Sequence, residues 1–243
     1  MYSIETKGLT KKYKDKTVVS NLNLKIKEGE LFSLLGTNGA GKTTTIKMLS
    51  SLIVPTEGDI IIDKFDMKKN KQKIKEIINI SPQVTSLAPN LTVRENLEFI
   101  AGSYQIKNKE QKIKELVDMF DLSKIMNQKA KTLSGGWQRK LSIAMSLIND
   151  PKILFLDEPT LGLDVISRKE LWKIIESKKG KMTIILTTHY MEEAEHLSDK
   201  IGIIVDGILL DEDTPKALKE KTKTNTLEDA FVKIATGGKI WGQ

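Results

Sequence analysis

A glycine-rich segment with one lysine and several threonines is the strongest chemical signal in the sequence. It follows the pattern G-x-x-x-x-G-K-[ST] and comprises Gly36, Thr37, Asn38, Gly39, Ala40, Gly41, Lys42, Thr43 and Thr44. Glycines let backbone N–H groups approach phosphates without a Cβ clash, and a helix N-terminus adds partial positive charge. We expect Lys42 to reach the β- and γ-phosphates of a nucleotide and Thr43 to ligate Mg²⁺. A turn that only joins a strand to a helix is the structural alternative, and the motif favours nucleotide binding.

Two adjacent carboxylates form the second candidate. Asp157 and Glu158 directly follow the apolar run Ile153–Leu156. A buried strand of a parallel sheet places its carboxyl-terminal acids at the ligand crevice, so Asp157 is expected to hold the Mg²⁺ shell. Glu158 is then expected to polarise a water molecule against the γ-phosphate. Alone, the pair fits a solvated acidic turn, but a phosphate loop elsewhere in the chain favours the catalytic interpretation.

The elements that must position these groups are indicated by the spacing of apolar residues. Polar and apolar positions alternate over residues 1–35, which predicts short strands joined by polar turns. Leu31–Leu35 is a compact apolar run that predicts a buried strand, and a helix is expected from about Lys42 to Leu52. The glycine-rich segment therefore lies between a strand and a helix, as its motif requires.

Residues from about 85 to 148 have a helical pattern instead. Thr92 and Glu95 have the spacing of a capping box. The residues predicted to share one helical face after this box are Val93, Leu97, Ile100, Ala101 and Tyr104. This stretch is expected to be a helical insertion.

Strands and helices alternate again beyond the helical stretch. The segments concerned are Ile153–Leu156, Ser167–Lys178, Thr183–Leu186, Ile201–Val205 and Thr226–Ile234. Ser167 and Glu170 predict a second capping box at the start of one of these helices. Apolar strands that alternate with helices imply an α/β fold with a parallel sheet.

Composition restricts the other functions open to the chain. The net charge is +7, yet arginine occurs only at Arg94, Arg139 and Arg168, so the positive surface is mainly lysine. Readers of phosphates or bases usually use arginine, so solvated lysines are favoured over a nucleic-acid surface. The sequence has no cysteine and two histidines, which excludes thiolate metal sites and disfavours histidine-based ones.

Targeting and membrane signals are also missing from the sequence pattern. No apolar run approaches the roughly 18 residues of a membrane-spanning helix. Residues 1–10 carry charges where a signal peptide has an apolar core. We therefore expect a soluble cytoplasmic chain that reaches a membrane only through a partner.

The segment Leu133-Ser134-Gly135-Gly136 narrows the class. It precedes an apolar helix predicted at Leu141–Ile148 and stands shortly before the acidic strand. Ser134 as a simple helix N-cap is the alternative, and capping and anion binding use the same free N–H groups. In its place between the two nucleotide motifs, the segment resembles the signature of the ATP-binding cassette (ABC) ATPases. The resemblance covers about residues 4–234.

Other positions match that family one by one. Tyr13 resembles the aromatic residue that stacks on adenine, and a half-buried strand aromatic is the alternative. Gln83 resembles the glutamine that touches Mg²⁺ and the attacking water, although it could be a plain loop residue. Leu163-Asp164 resembles the aspartate loop at the dimer interface, and His189 resembles the histidine that contacts the γ-phosphate. His196 matches nothing and is expected to be a solvated helix residue.

Two positions depart from the family pattern. Trp137 stands where the signature usually has glutamine, with Gln138 one place later. Leu161 stands where the aspartate loop often begins with serine. The first change affects interface packing and the second removes one possible hydrogen bond, but neither touches the expected hydrolytic residues. Active hydrolysis is therefore expected.

The resemblance implies one cassette over residues 1–243, with a P-loop NTPase core and an N-terminal antiparallel β subdomain. It places the helical insertion at about 85–148 and a short tail at about 210–243. Two copies would enclose two ATP molecules with Mg²⁺, and each site would combine one chain's phosphate loop, Gln83, Glu158 and His189 with the other's Ser134–Gly136 segment.

The same resemblance implies a transporter subunit at the cytoplasmic face of the membrane. A separate permease is expected to dock in the cleft between core and insertion, near Gln83 and over Val84–Leu91, with no nucleic acid as partner. Leu227–Phe231 and Gly162–Val165 are similar to exporter cassettes and favour efflux. A soluble cassette acting on ribosomes or nucleic acid is the alternative, and a metabolic phosphotransferase is disfavoured.

Overall fold

The computed structural model describes residues 1–237, which form two β-sheets and nine α-helices. The strands are β1 Tyr2–Tyr13, β2 Lys16–Leu22, β3 Lys25–Lys27, β4 Leu31–Leu35, β5 Glu57–Ile62, β6 Phe65–Asp66, β7 Ile78–Ser81, β8 Ile153–Asp157, β9 Thr183–Thr188, β10 Lys200–Val205 and β11 Ile208–Asp213. The helices are α1 Lys42–Leu49, α2 Lys71–Ile77, α3 Val93–Ser103, α4 Lys109–Phe120, α5 Gly135–Ser146, α6 Val165–Glu176, α7 Met191–Leu197, α8 Pro215–Thr222 and α9 Leu227–Ala235.

The first sheet is antiparallel and built around one long strand. β1 pairs with β2, β3 and β5, and β6 extends the sheet beyond β5. The 12 residues of β1 replace several short strands predicted near the N-terminus, because a single strand with register shifts serves three partners. Its buried side chains pack with β5 and α1 in one cluster that includes Ile4, Leu9 and Ile46.

The second sheet contains five parallel strands and one antiparallel edge strand. Its order is β11-β10-β4-β9-β8-β7, and only β11 runs antiparallel to its neighbour. All residues of β4, β8 and β9 are buried, as expected for apolar runs covered on both faces. Because β4, β9, β8 and β7 are adjacent and parallel, their carboxyl ends meet at one edge. The predicted parallel α/β core with an antiparallel β subdomain is confirmed.

Helices α3, α4 and α5 lie between β7 and β8 in sequence, within the predicted helical insertion. Their buried faces share a cluster with the parallel sheet, including Leu97, Leu116 and Leu141. The capping box of Thr92 and Glu95 is present at the start of α3. Tyr104, predicted to share one helical face with Val93 and Leu97, is the C-cap of that helix and is exposed. Helix α3 ends at Ser103, one residue before Tyr104.

The second capping box, predicted at Ser167 and Glu170, is wrong. Helix α6 begins two residues earlier than expected, at Val165, and its N-cap is Asp164. The Asp164 carboxylate accepts hydrogen bonds from the backbone N–H groups of Ile166 and Ser167, which lowers the pKa of Asp164. An aspartate caps as well as a serine does, so sequence spacing alone did not decide between them.

The C-terminal elements pack on the edge of the parallel sheet. Helices α8 and α9 pack with β10 and α7 in a small cluster that includes Leu218, Leu227 and Phe231. The division into one cassette with an insertion at 85–148 and a tail at 210–243 remains a prediction, and the last six residues of that tail lie outside the described residues. Within residues 1–237, no helix is both long and apolar enough to cross a membrane.

Candidate nucleotide-hydrolysis site

The phosphate loop joins β4 to α1 and wraps around the lysine that follows it. Gly41 takes the left-handed conformation at φ 97°, and a Cβ there would lie 2.6 Å from the carbonyl oxygen of Val18, so the turn requires glycine. Lys42 Nζ donates to the carbonyl oxygens of Gly36 at 2.8 Å and Thr37 at 3.1 Å. The lysine is only 5% exposed, so its ammonium is held inside the loop where phosphates would bind.

Asp157 at the end of β8 lies beside the phosphate loop. Thr43 Oγ1 donates to Asp157 Oδ1 at 3.1 Å, and Thr187 Oγ1 on the adjacent strand donates to the same oxygen at 2.5 Å. A hydroxyl and a carboxylate are the oxygen ligands that Mg²⁺ prefers, with phosphates and water completing its shell. Among residues 1–237, no group of three or more Asp, Glu or His side chains could bind a metal alone. The donor set fits Mg²⁺ bound together with a nucleotide.

Glu158 occupies the centre of the site in a strained backbone conformation. Its φ of 48° is left-handed, which is uncommon for a residue with a side chain and often occurs at functional sites. Its N–H donates to Thr187 Oγ1 at 3.0 Å, which fixes this turn. Glu158 Oε1 lies 3.3 Å from Lys42 Nζ, and Oε2 lies 2.8 Å from Nδ1 of His189. An ionised carboxylate only accepts, so the latter contact requires the proton on Nδ1.

A cavity of about 410 Å³ opens over these groups. Its lining includes Gln83, Glu158 and the loop residues 38–44. Gln83 is exposed at this cavity, two residues after the end of β7. Tyr13 does not line the cavity; it is 48% exposed at the end of β1, with Lys11 Nζ 5.0 Å from its ring centre. The structure thus brings the predicted hydrolytic residues together and leaves Tyr13 outside the cavity lining.

The Ser134–Gly136 segment forms the start of α5 and is not part of this cavity. Ser134 and Gly135 are exposed, and the Ser134 side chain makes no capping hydrogen bond. Gly136 lies near Leu163 and Ser167, so the segment sits beside the Leu163-Asp164 turn. Trp137 is half-buried under Lys140, whose Nζ lies 4.6 Å from the ring centre. An exposed N-terminal helix turn remains available for an anion outside the chain's own cavity.

Three side chains near the site were missed by the sequence interpretation. Thr187 connects Asp157 to the backbone of Glu158, as described above. Arg139 is 4% exposed, and burial lowers the pKa of its guanidinium to about 10, partly offset by the negative charges of Asp157, Glu193 and Glu158. No sequence motif includes Thr187 or Arg139, because threonine and arginine are common on strands and helices. Only their contacts in the folded chain connect them to the site.

Glu193 on α7 is the third of these side chains. It is fully buried, and its Oε1 accepts hydrogen bonds from Thr160 Oγ1 at 2.8 Å and Trp172 Nε1 at 3.0 Å. Its Oε2 has no hydrogen-bond partner among the described residues. Burial raises the pKa of Glu193. Thr160 is two residues beyond Glu158, so α7 is connected to the segment that follows the central carboxylate.

His196 lies outside the site on the same helix. Its Nε2 is 3.3 Å from Glu176 Oε1, and its ring packs on Trp172 with centroids 4.8 Å apart. The side chain is half exposed, which agrees with the expectation of a solvated helix residue.

The fold and site together define a class: a P-loop ATPase whose phosphate loop and acidic strand ends meet at one sheet edge. The chain belongs to the ABC transporter family, because the family model described as "ABC transporter" matches residues 19–161. The chain is therefore an ABC ATP-binding cassette. This confirms the family and ATPase class expected from Leu133–Gly136.

Individual relatives agree with this assignment. The "Probable multidrug ABC transporter ATP-binding protein YbhF" of Escherichia coli (strain K12) is 40% identical over 239 residues, which are 95% of this chain and 41% of that protein. The "Nod factor export ATP-binding protein I" of Burkholderia orbicola (strain AU 1054) is 39% identical over 222 residues, 89% of this chain and 72% of that protein. The chain thus spans about two fifths of the length of the first relative.

A solved structure shows the same fold. It is a dimeric post-hydrolysis state of the ATP-binding cassette MJ0796 bound to ADP and Pi, with a TM-score of 0.80 and 29% sequence identity. The match covers 87% of this chain and 98% of that one.

Proposed function

We propose that this chain hydrolyses ATP to power a transporter whose membrane-spanning part is a separate permease, and that the transporter exports its substrate. One observation carries the proposal: Glu158 lies between Lys42 and His189, at 3.3 Å and 2.8 Å, over a phosphate loop. A base, a phosphate-binding cation and a hydrogen-bonding imidazole at one strand edge suit attack of water on a γ-phosphate.

The roles of the residues follow from this arrangement. The loop N–H groups and Lys42 bind the β- and γ-phosphates, and residues 36–44 hold them in one orientation. Thr43 and Asp157 hold Mg²⁺, with Gln83 at the cavity wall, and the ion neutralises phosphate charge when bound. Glu158 accepts a proton from the attacking water, and His189 holds the carboxylate and contacts the γ-phosphate. Tyr13 is retained as the adenine-stacking candidate on resemblance alone.

Dimerisation would complete the site. Ser134 and Gly135 are exposed and Gly136 is half-buried, and none of the three lines the cavity of its own chain, so they are free to bind the γ-phosphate held by a second copy. Leu161, Val165 and Ile166 are also exposed, at 42%, 57% and 72%, next to that segment. Exposed apolar side chains beside an unused anion-binding turn suit a protein interface. The dimeric state of the MJ0796 cassette supports this assembly.

A cleft between core and helical insertion offers the permease a docking surface. It measures about 630 Å³ and is bordered by α2, β7 and the end of α3, including Leu52, Ile80 and Tyr104. The phosphate loop lines a different cavity. Val84, in the loop that follows Gln83, is 82% exposed. A permease segment that extends from this cleft to the loop after Gln83 would respond to the nucleotide through Gln83.

The export direction and location rest on the relatives. One relative is named for multidrug transport and the other for Nod factor export, which supports an exporter subunit at the cytoplasmic face of a membrane. The alternative, action on ribosomes or nucleic acid, is named for neither relative.

Co-expression with any multi-span membrane protein encoded beside this chain tests the proposal. We expect a stable complex whose ATPase rate exceeds that of the chain alone and is lost in Lys42→Ala. Absence of a complex, together with ATPase stimulation by ribosomes or nucleic acid, would favour the alternative.

A further inference from the structure

Arg139 is a buried arginine whose side chain, among residues 1–237, donates hydrogen bonds to backbone carbonyl oxygens only. Its Nε donates to Pro159 O at 2.8 Å, its Nη2 to Asp157 O at 2.6 Å, and its Nη1 to Pro82 O at 2.5 Å. Arg94, in contrast, has a side chain 55% exposed to solvent. A guanidinium presents its donors in a rigid planar fork, so the three acceptors are held at fixed positions relative to one another.

Each of these carbonyls belongs to a segment of the hydrolysis site. Asp157 O is in the peptide that leads into the strained backbone of Glu158, and Pro159 O is on its other side. Pro82 O is in the peptide that leads into Gln83. One side chain therefore fixes Glu158 from both directions and sets its distance from the Gln83 loop.

The same helical turn also holds the segment before Ser134. Gln138 Nε2 donates to the carbonyl oxygens of Ala130 at 3.1 Å and Leu133 at 3.2 Å. Gln138 and Arg139 are adjacent at the start of α5. The exposed Ser134 turn and the backbone of Glu158 are thus attached to one rigid element through neighbouring side chains.

We propose that Arg139 is a positioning residue for ATP hydrolysis. It holds Glu158 and Gln83 at fixed positions relative to the helix that begins at the Ser134 turn. The proposal rests on the ATPase function proposed above. Arg139 does not line the nucleotide cavity, and it contacts Gln83 at the backbone carbonyl oxygen, 3.5 Å from Nη1. It therefore acts on turnover through Glu158 and Gln83, while ATP binding by Lys42 and the loop is left intact.

Arg139→Lys is the sharpest test, because it retains the charge but lacks the fork that reaches three carbonyls. Arg94→Lys is the matched control in the same insertion. Small displacements of a catalytic group lower rates steeply, so we expect kcat to fall about 10- to 100-fold in Arg139→Lys. The dissociation constant for ATP, measured by fluorescent-nucleotide titration at equal protein concentration, should change by less than about twofold. Arg94→Lys should match the wild type in both.

Thermal unfolding of the same samples separates positioning from folding. A kcat loss with unchanged ATP affinity, at a temperature well below the melting transition, supports the proposal. Unchanged kcat, or a parallel loss of kcat, ATP affinity and melting temperature, would overturn it. A wild-type chain with no ATPase activity would overturn the proposed function and this inference together, whereas a difference confined to Arg139→Lys concerns Arg139 alone.

Discussion

His189 Nδ1 lies 2.8 Å from Glu158 Oε2, while Glu158 Oε1 lies 3.3 Å from Lys42 Nζ. The carboxylate therefore connects two groups that come from different loops at the edge of the parallel sheet. Because Glu158 is only 5% exposed and has left-handed backbone, its side chain has little freedom to turn away. This placement makes the hydrolytic role testable by single substitutions.

Glu158→Gln should retain ATP binding and lose turnover. The amide keeps the size of the side chain but removes the base, and general-base catalysis contributes about 10²- to 10⁴-fold. The variant should accumulate as an ATP-bound dimer, which size-exclusion chromatography with ATP and with ADP would reveal. Near-normal phosphate release in this variant would show that another group activates the water.

Mixing two inactive variants tests the composite site. Ser134→Arg blocks the exposed turn that would reach a partner's phosphate, and Lys42→Ala removes phosphate binding in the other chain. Their heterodimer keeps one complete site, so part of the ATPase activity should return on mixing if one site can act alone. Full activity of either variant by itself would contradict the arrangement across two chains.

A charge on the exposed loop after Gln83 should disrupt permease docking. Val84→Glu is preferred over Leu87→Glu, because Leu87 packs partly on the core of the insertion and its change would also weaken folding. We expect Val84→Glu to abolish co-purification with the membrane protein and leave the ATPase rate in solution unchanged. Val232→Glu, at an exposed valine of α9, is the control. Intact co-purification of Val84→Glu would place the docking surface elsewhere.

Glu193→Gln should stabilise the chain at alkaline pH more than at acidic pH. Burial raises the pKa of Glu193, so the folded state keeps its proton at pH values where the unfolded state has lost it. Stability from this group is therefore present below the ordinary carboxyl pKa and decreases as the pH rises through the raised value. Glutamine never ionises and retains an acceptor for Thr160 and Trp172.

The measurement is the melting temperature of both proteins from pH 5 to 8. A gain of about 1 kcal/mol corresponds to about 2–4 °C in a chain of this size. The difference between Glu193→Gln and wild type should grow with pH. A constant difference, or one that shrinks as the pH rises, would mean that Glu193 does not carry this titration.

The sequence by itself determined the family and the α/β class, and it predicted the main site residues. The phosphate loop, the acidic strand end and Leu133–Gly136 are short local patterns, and their chemistry is set by residue types at fixed spacing. Periodicity likewise predicted β4, β8 and β9, since strands buried on both faces read as unbroken apolar runs.

Tertiary structure alone decided which distant groups meet and how. The hydrogen bonds of Thr187, Arg139 and Glu193 cross from one element to another, and no local pattern marks such contacts. The start of α6 was also decided in three dimensions, because Asp164 and Ser167 are both competent caps and the position of the turn selected between them. Burial, strand order and the left-handed turn at Glu158 depend on the whole chain, so the geometry of the site comes only from the fold.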